Sequence, residues 1–289
     1  MLLGCQVSFK IRRITRHMEI PPPVLLPFGQ PQPFGIWEKR EGNDCFYFND
    51  GYVSEQRFAF EASESPLYVR LGKNTQVAII EQCSEVRYTL EENSSLLHLS
   101  DPRSYKATFD LGKEAHLRHI SVGTVSGNLK NTLFINLNGI KASVEWKDGL
   151  LLKEKSECDW QMSIFHHAPQ TSSNCRVRSV IEDKGFLRLT YDGTVDPSAA
   201  DAVLEQKNLN YILTPNGHVC ARPMMHIANK NVRASHGTAT QPLPREVLFY
   251  LQARGAPIET AKQLFLDGFL NELSCGTAAS DDVVITAEG

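Results

Sequence analysis

The residues best suited to chemistry sit in one short run, Ser235-His236-Gly237-Thr238-Ala239-Thr240. A neutral imidazole binds transition metals, and histidine carries protons near neutral pH. His236 therefore has two readings. It is a reactive or metal-binding group, or it is a turn histidine tied to backbone where two structural modules join. Just upstream, His218, Cys220, Arg222, Met224 and His226 share one parity, and Val219, Ala221, Met225 and Ile227 share the other. On one strand the apolar set faces a core and the other set faces outward. Cys220 then offers a soft ligand, conceivably beside His236 from a neighbouring rung, against the plainer reading of a solvated or pairing face. His218 and His226 would lie about 26 Å apart if fully extended, too far to share an ion.

Other constellations fall away. His166 and His167 are adjacent on a strand, so they point to opposite faces and do not chelate. Ser235 and His236 diverge for the same reason, and no G-x-S-x-G elbow accompanies them. No G-x-x-x-x-G-K-[ST] loop is present, so any ATP is bound by a partner. Glu205 and Gln206 receive no chemistry. The seven cysteines are scattered, and no two have Cys-x-x-Cys spacing. That argues against a disulfide framework and a closed zinc site.

The elements that position these residues emerge from composition and pattern. The chain has 289 residues, 42% hydrophobic and 22% charged, with net charge −3 and pI ≈ 6.3. That balance fits a globular body without a general pull toward nucleic acid or anionic membrane. No apolar run reaches membrane-spanning length. At the start, cationic residues come after the apolar ones, the reverse of a secretory signal. The expectation is a cytoplasmic protein, or a fragment beginning inside a longer one.

Residues 1–35 read as a Pro-rich leader, in which Pro21, Pro22, Pro23, Pro27, Pro31 and Pro33 forbid a regular helix. Residues 36–240 read as many short strands rich in Val, Ile, Leu, Tyr and Thr. Turn signals separate them at 71–74, 126–128, Asn138-Gly139, Asp148-Gly149, 183–185, Asp192-Gly193 and 215–217. A sandwich, a barrel and a β-helix all fit that pattern, and no repeat of fixed length selects among them. Residues 241–273 read as two helices. Pro244 suits a first turn, Glu246 the positive end of the dipole, and Arg254-Gly255 a C-terminal end. The second has an apolar face of Ile258, Ala261, Leu264, Phe265, Phe269 and Leu273, widened by Leu266 and Leu270. Helices this short are marginal alone and must pack on the strands or on a partner. Residues 274–289 read as a flexible tail.

From Met224 to Leu273 the sequence resembles the SufB/SufD family of iron–sulfur cluster assembly scaffolds. The ordered set that carries the resemblance is Ser235-His236-Gly237-Thr238-Ala239-Thr240, then Phe249-Tyr250-Leu251, Arg254-Gly255 and Gly268-Phe269. Weaker similarity runs back through His166, Pro169, Thr171 and Ser173. The resemblance implies a mainly β fold, a right-handed parallel β-helix followed by a small C-terminal helical domain. Gly237, where SufB-like chains tend to carry Glu, places the chain nearer SufD. Asn229-Lys230-Asn231 replaces the family's acidic turn, and on this resemblance the usual N-terminal helical region is expected to be absent or cut to the leader.

The resemblance further implies a non-enzymatic scaffold that pairs with a SufB-like protein and docks the ATPase SufC. Such a scaffold holds no stable cofactor alone; a transient iron–sulfur cluster belongs to the complex and ATP to the partner. His236 is the metal and cluster-assembly candidate, with Cys220 second. Phe249, Tyr250, Leu251, Arg254, Phe265, Phe269 and Leu270 are the candidates for partner binding and its supporting core. A homodimer is the alternative assembly, since a surface that pairs with a related β-helix also suits itself. The alternative function is a β-helical polysaccharide lyase or hydrolase, which would need paired carboxylates that the sequence does not display.

Overall fold

The computed structural model describes residues 10–12, 22–30, 32–60, 66–273 and 284–286. Its first strands are β1 (Lys10–Arg12), β2 (Val24–Leu26), β3 (Gly35–Arg40), β4 (Asn43–Phe48), β5 (Val53–Phe60), β6 (Leu67–Leu71), β7 (Gln76–Ile80), β8 (Glu85–Leu90), β9 (Ser95–Ser100) and β10 (Tyr105–Leu111). Longer ones come next: β11 (His116–Val125), β12 (Asn128–Leu137), β13 (Ser143–Leu152), β14 (Glu157–His166), β15 (Ser172–Ile181), β16 (Phe186–Val195), β17 (Ala202–Ile212), β18 (His218–Ile227) and β19 (Val232–Pro242). The chain then forms α1 (Arg245–Ala253), α2 (Ile258–Asn271) and β20 (Val284–Thr286), which pairs antiparallel with β1. The rest of the expected flexible tail lies outside the described residues.

From β4 onward each strand pairs in parallel with the strand two places along. The chain thus alternates between two nine-stranded sheets, β18 to β3 on one face and β19 to β2 on the other. This is a flattened β-helix, with one strand from each sheet in every coil. At the N-terminal end β3 closes its sheet antiparallel against β4, and β2 closes the other parallel to β5. Alternation along each strand puts Leu187, Leu189 and Tyr191 inside and Arg188 and Thr190 outside, as a two-faced strand requires.

The coils lengthen toward the C-terminus, which is why no fixed repeat is visible in the sequence. Hydrogen bonds between neighbouring coils join residues 19 apart at Asn74 and Asn93, 21 at Glu85 and Lys106, 26 at Tyr105 and Asn131, 29 at Asp159 and Arg188, and 31 at Ser179 and Asn210. One corner repeats on six successive coils. Asn74, Asn93, Glu114, Lys141, Gln170 and Asp201 all adopt positive φ, between 55° and 62°. Glu114, Lys141, Gln170 and Asp201 each donate the backbone N–H to a carbonyl of the next coil. That stacked bond offsets the cost of a left-handed conformation in residues other than glycine.

Two expected turns are wrong. Asp148-Gly149 lies within β13 and Asp192-Gly193 within β16. In both the glycine answers close packing rather than a bend. A Cβ on Gly149 would stand 3.3 Å from Leu273 Cδ1, and one on Gly193 would stand 3.0 Å from Gln206 Nε2.

The helical segment lies on the outside of the sheet that ends in β19. Leu266, Phe269, Leu270 and Leu273 join Ile80, Leu99, Ile120, Val180 and Tyr211 in a second apolar cluster outside the coil. Arg178 clamps the helix end. Its Nη1 donates to the Phe269 carbonyl at 2.7 Å and meets Glu272 Oε2 at 2.6 Å, and the guanidinium covers the Phe269 ring. No described helix is long and apolar enough to cross a membrane.

Candidate functional site

His236 stands on the last rung of the coil. The inward residues of β17 from Ala202 to Asn210 are buried, yet β19 beside it is exposed along nearly its whole length. No further described strand covers β18 or β19. The register fixes what lies beneath the motif. His98, His119, Trp146, Cys175, Gln206 and His236 occupy one column on successive rungs. Because Trp146, Cys175 and Gln206 are buried inside, parity turns His236 to the same side, at the open end of the coil.

The interior becomes polar as it nears this end. Gln206, Asn208 and Asn210 are buried side by side. Asn210 receives Ser179 Oγ at 2.8 Å and donates to Thr240 Oγ1 and the Ala239 carbonyl, both at 3.2 Å. Gln206 Oε1 and Asn208 Oδ1 find no partner among the described residues. Sequence alone gives Gln206 no role. Its signal is positional: it pairs with His236, which is invisible until the coil length is known.

Cys220 is not brought to His236. It pairs with Arg188 on β16, in the opposite sheet, and faces outward with intermediate exposure. His218, Arg222, Met224 and His226 share that outer face, and His226 Nε2 lies 3.6 Å from Asp192 Oδ1. Among the described residues no three His, Cys, Asp or Glu side chains converge as a metal site. Among the described residues His236 would therefore stand as a single ligand, and a complete coordination sphere would need groups from elsewhere.

The partner-binding candidates divide into two sets. Phe249 and Tyr250 are exposed at 74% and 54%, and α1 buries no residue at all. The Arg254 guanidinium lies 4.3 Å above the Tyr250 ring, where cation–π attraction holds the ring in place. Val247 on α1 and Ile258 and Leu264 on α2 are exposed too. Phe269 and Leu270 are buried against the coil, with Phe265 and Leu251 partly buried. Phe269 and Leu270 hold the helices on the sheet and present no face to a partner.

Two of the other described thiols are unsuited to chemistry. Cys45, Cys83, Cys158 and Cys175 are buried. Burial, reinforced by Asp148 and Asp159, pushes the Cys158 thiol up to about 12, and burial drives Cys175 higher still. A thiol kept protonated is neither nucleophile nor ligand. His166 is also structural in its contacts. Thr171 Oγ1 donates to the Ala168 carbonyl at 3.0 Å and lies 2.8 Å from His166 Nδ1, while Ser173 Oγ lies 3.0 Å from Nε2. Burial pulls its pKa down to about 4, with His167 adding to the effect.

A family described as "SUF system FeS cluster assembly, SufBD core domain" matches residues 54–269. That range takes in the coil from β5 and nearly all of both helices. The iron–sulfur cluster assembly protein SufD of Escherichia coli (strain K12) is 26% identical over 185 residues, 63% of this chain and 40% of that protein. The SufD protein of Plasmodium falciparum (isolate 3D7) is 22% identical over 198 residues, 67% of this chain and 13% of that one. A protein of Arabidopsis thaliana named "Protein ABCI7, chloroplastic" is 35% identical over 253 residues, 86% of this chain and 49% of that one. The chain thus spans less than half the length of each of these relatives. It belongs to the SufBD core family of the SUF iron–sulfur cluster assembly system, on the SufD-like side of that family.

Proposed function

We propose that the chain is a SufD-like scaffold subunit of iron–sulfur cluster assembly. It joins a SufB-like chain at the open end of the coil and receives a SufC-like ATPase on α1. The observation that carries this reading is the uncovered terminal rung. Coils up to β17 bury their inward side chains, whereas β18 and β19 leave theirs partly or fully exposed. Such an edge offers unpaired backbone groups to another sheet. The second surface is the apolar patch of Phe249, Tyr250 and Leu264, which favours a protein partner.

The cluster is the cargo of this assembly and not a resident cofactor of the chain. His236 supplies an imidazole at the rim, with the missing ligands coming from the partner. Cys220 keeps a place only as an outward thiol on the same last coil. The chain itself performs no hydrolysis; ATP is bound and split by the SufC-like protein. The name of the Arabidopsis relative adds the chloroplast to the cytoplasm as a compartment to test, by fractionation of source cells.

Co-purification with SufB-like and SufC-like proteins of the same organism, followed by mass determination, tests the reading. One copy of this chain, one SufB-like chain and two SufC-like chains is the expected composition. A folded chain that binds neither would overturn it, and a homodimer that excludes the SufB-like chain would replace it with self-association.

A further inference from the structure

A chain of buried titratable groups crosses the interior at the middle of the coil, its last member on β13, three rungs before β19. Glu81, His98, His119 and Asp148 are exposed by 1%, 0%, 0% and 2%. They belong to four successive rungs of one sheet, at the end of β7 and within β9, β11 and β13. His98 Nε2 lies 3.4 Å from Glu81 Oε2, His98 Nδ1 lies 2.7 Å from His119 Nδ1, and His119 Nε2 lies 3.1 Å from Asp148 Oδ1. Both ends are anchored. Tyr88 Oη and the Cys83 N–H donate to Glu81 at 2.7 Å each, and Trp146 Nε1 donates to Asp148 Oδ2 at 2.8 Å. The Trp146 ring also stacks on His119 with centroids 3.7 Å apart.

The two facing nitrogens are too close for a tetrahedral metal, which at ordinary zinc–nitrogen lengths separates its ligands by about 3.3 Å. The contact is a hydrogen bond and needs a proton. So do the two carboxylate contacts. Two neutral imidazoles bring one ring proton each. Three bonds therefore demand one proton more than two neutral rings and two carboxylates possess.

We propose that Glu81, His98, His119 and Asp148 form a buried proton-binding site that holds three protons in three hydrogen bonds and braces four rungs together. The bound proton comes from solvent, and it breaks no covalent bond when it leaves. His119 is the ring that stays neutral. Burial lowers it to about 4 in spite of Asp148, so its one proton serves Asp148 and its Nδ1 accepts from His98. The extra proton then lies between His98 and Glu81. Burial pushes Glu81 up, but the bond and charge of His98 with the Cys83 and Tyr88 donors outweigh it, and its pKa falls below the ordinary carboxylate range. With the extra proton the four groups carry one net negative charge, and Arg103 Nη2, 3.9 Å from Glu81 Oε1, faces it. Tyr105 lines the site beside His98 and stays neutral, because burial raises its hydroxyl well above the ordinary value. A proton that the folded chain keeps above the pH at which a free imidazole loses it stabilises the coil, and that contribution is lost when rising pH removes it.

The full chain, labelled with 15N in histidine, tests this directly by NMR. Near neutral pH the His98 and His119 rings should together show three N–H protons, one of them far downfield between the two Nδ1 atoms. Raising the pH should remove one of the three reversibly and lower the melting temperature in step. Two ring protons throughout, or a stoichiometric metal in the purified chain, would overturn the proposal. Glu81→Gln, if folded, should show two ring protons; three in that variant would also overturn it. If the variant fails to fold, the titration of the unaltered chain decides alone.

Discussion

His166 should make the fold acid-labile, and its contacts set the size of the effect. Thr171 gives its hydroxyl proton to Ala168, so His166 must donate from Nδ1 and accept at Nε2 from Ser173. That arrangement suits the neutral ring alone. The folded value is about 4 against an ordinary 6.5. The unfolded chain therefore binds more protons than the folded one across that interval, and stability falls as pH falls. Between about pH 7.5 and about pH 5 the loss from this ring is about 2 kcal/mol, reaching about 3 kcal/mol once both states are protonated. The upper window lies above most carboxylate titrations and so isolates histidine. His166→Gln keeps a donor for Thr171 and an acceptor for Ser173 but cannot titrate. It should be less stable near pH 7.5, by about 1 kcal/mol for its poorer fit. On acidification it should lose about 2 kcal/mol less than the natural chain, read from urea midpoints at each pH. Parallel stability curves for the two proteins would refute the clamp.

The helical segment separates docking from folding. Tyr250→Ala and Phe249→Ala should weaken SufC-like binding at least tenfold, about 1.4 kcal/mol, without moving the melting temperature. Phe269→Ala, buried against Tyr211, should instead cost about 3 kcal/mol of stability in denaturant. Gly237→Glu should leave the fold intact, since a Cβ there meets nothing within 4 Å; a destabilised variant would show that the motif needs glycine for its backbone. His236→Ala, fully on the surface of the last rung, should change stability by less than about 0.5 kcal/mol while lowering cluster assembly in the complex.

Much of the fold is legible in the sequence because local rules and tertiary packing agree. The two parities of His218–Ile227 predict which residues face the coil. Pro244 and Gly255 mark the helix ends, and Gly255 does take positive φ, at 89°. The failures have physical causes. Asp148-Gly149 and Asp192-Gly193 carry the strongest short turn signal there is, but sheet pairing on both sides overrides it. Phe249, Tyr250, Phe269 and Leu270 are indistinguishable by composition, and only the position of α2 on the sheet sorts them. His98 and His119 lie on strands of ordinary apolar pattern, in coils of different length. Nothing in the sequence places their rings face to face.

The two polar regions of the interior differ in a way that assigns them different work. In the middle of the coil each of the four titratable groups has a partner at both of its polar atoms. A buried network satisfied to that degree rigidifies a core. Under the open rung, Gln206 Oε1 and Asn208 Oδ1 lack partners among the described residues, and an unsatisfied buried acceptor costs about 1–3 kcal/mol. Apolar residues such as Cys175 and Val177, which pair with them on the preceding rung, would remove that cost in a closed coil. Their retention beneath His236, Thr238 and Thr240 fits an end that is completed by a second chain. On the proposed reading, the satisfied network holds that end in place and a partner chain would supply what it lacks.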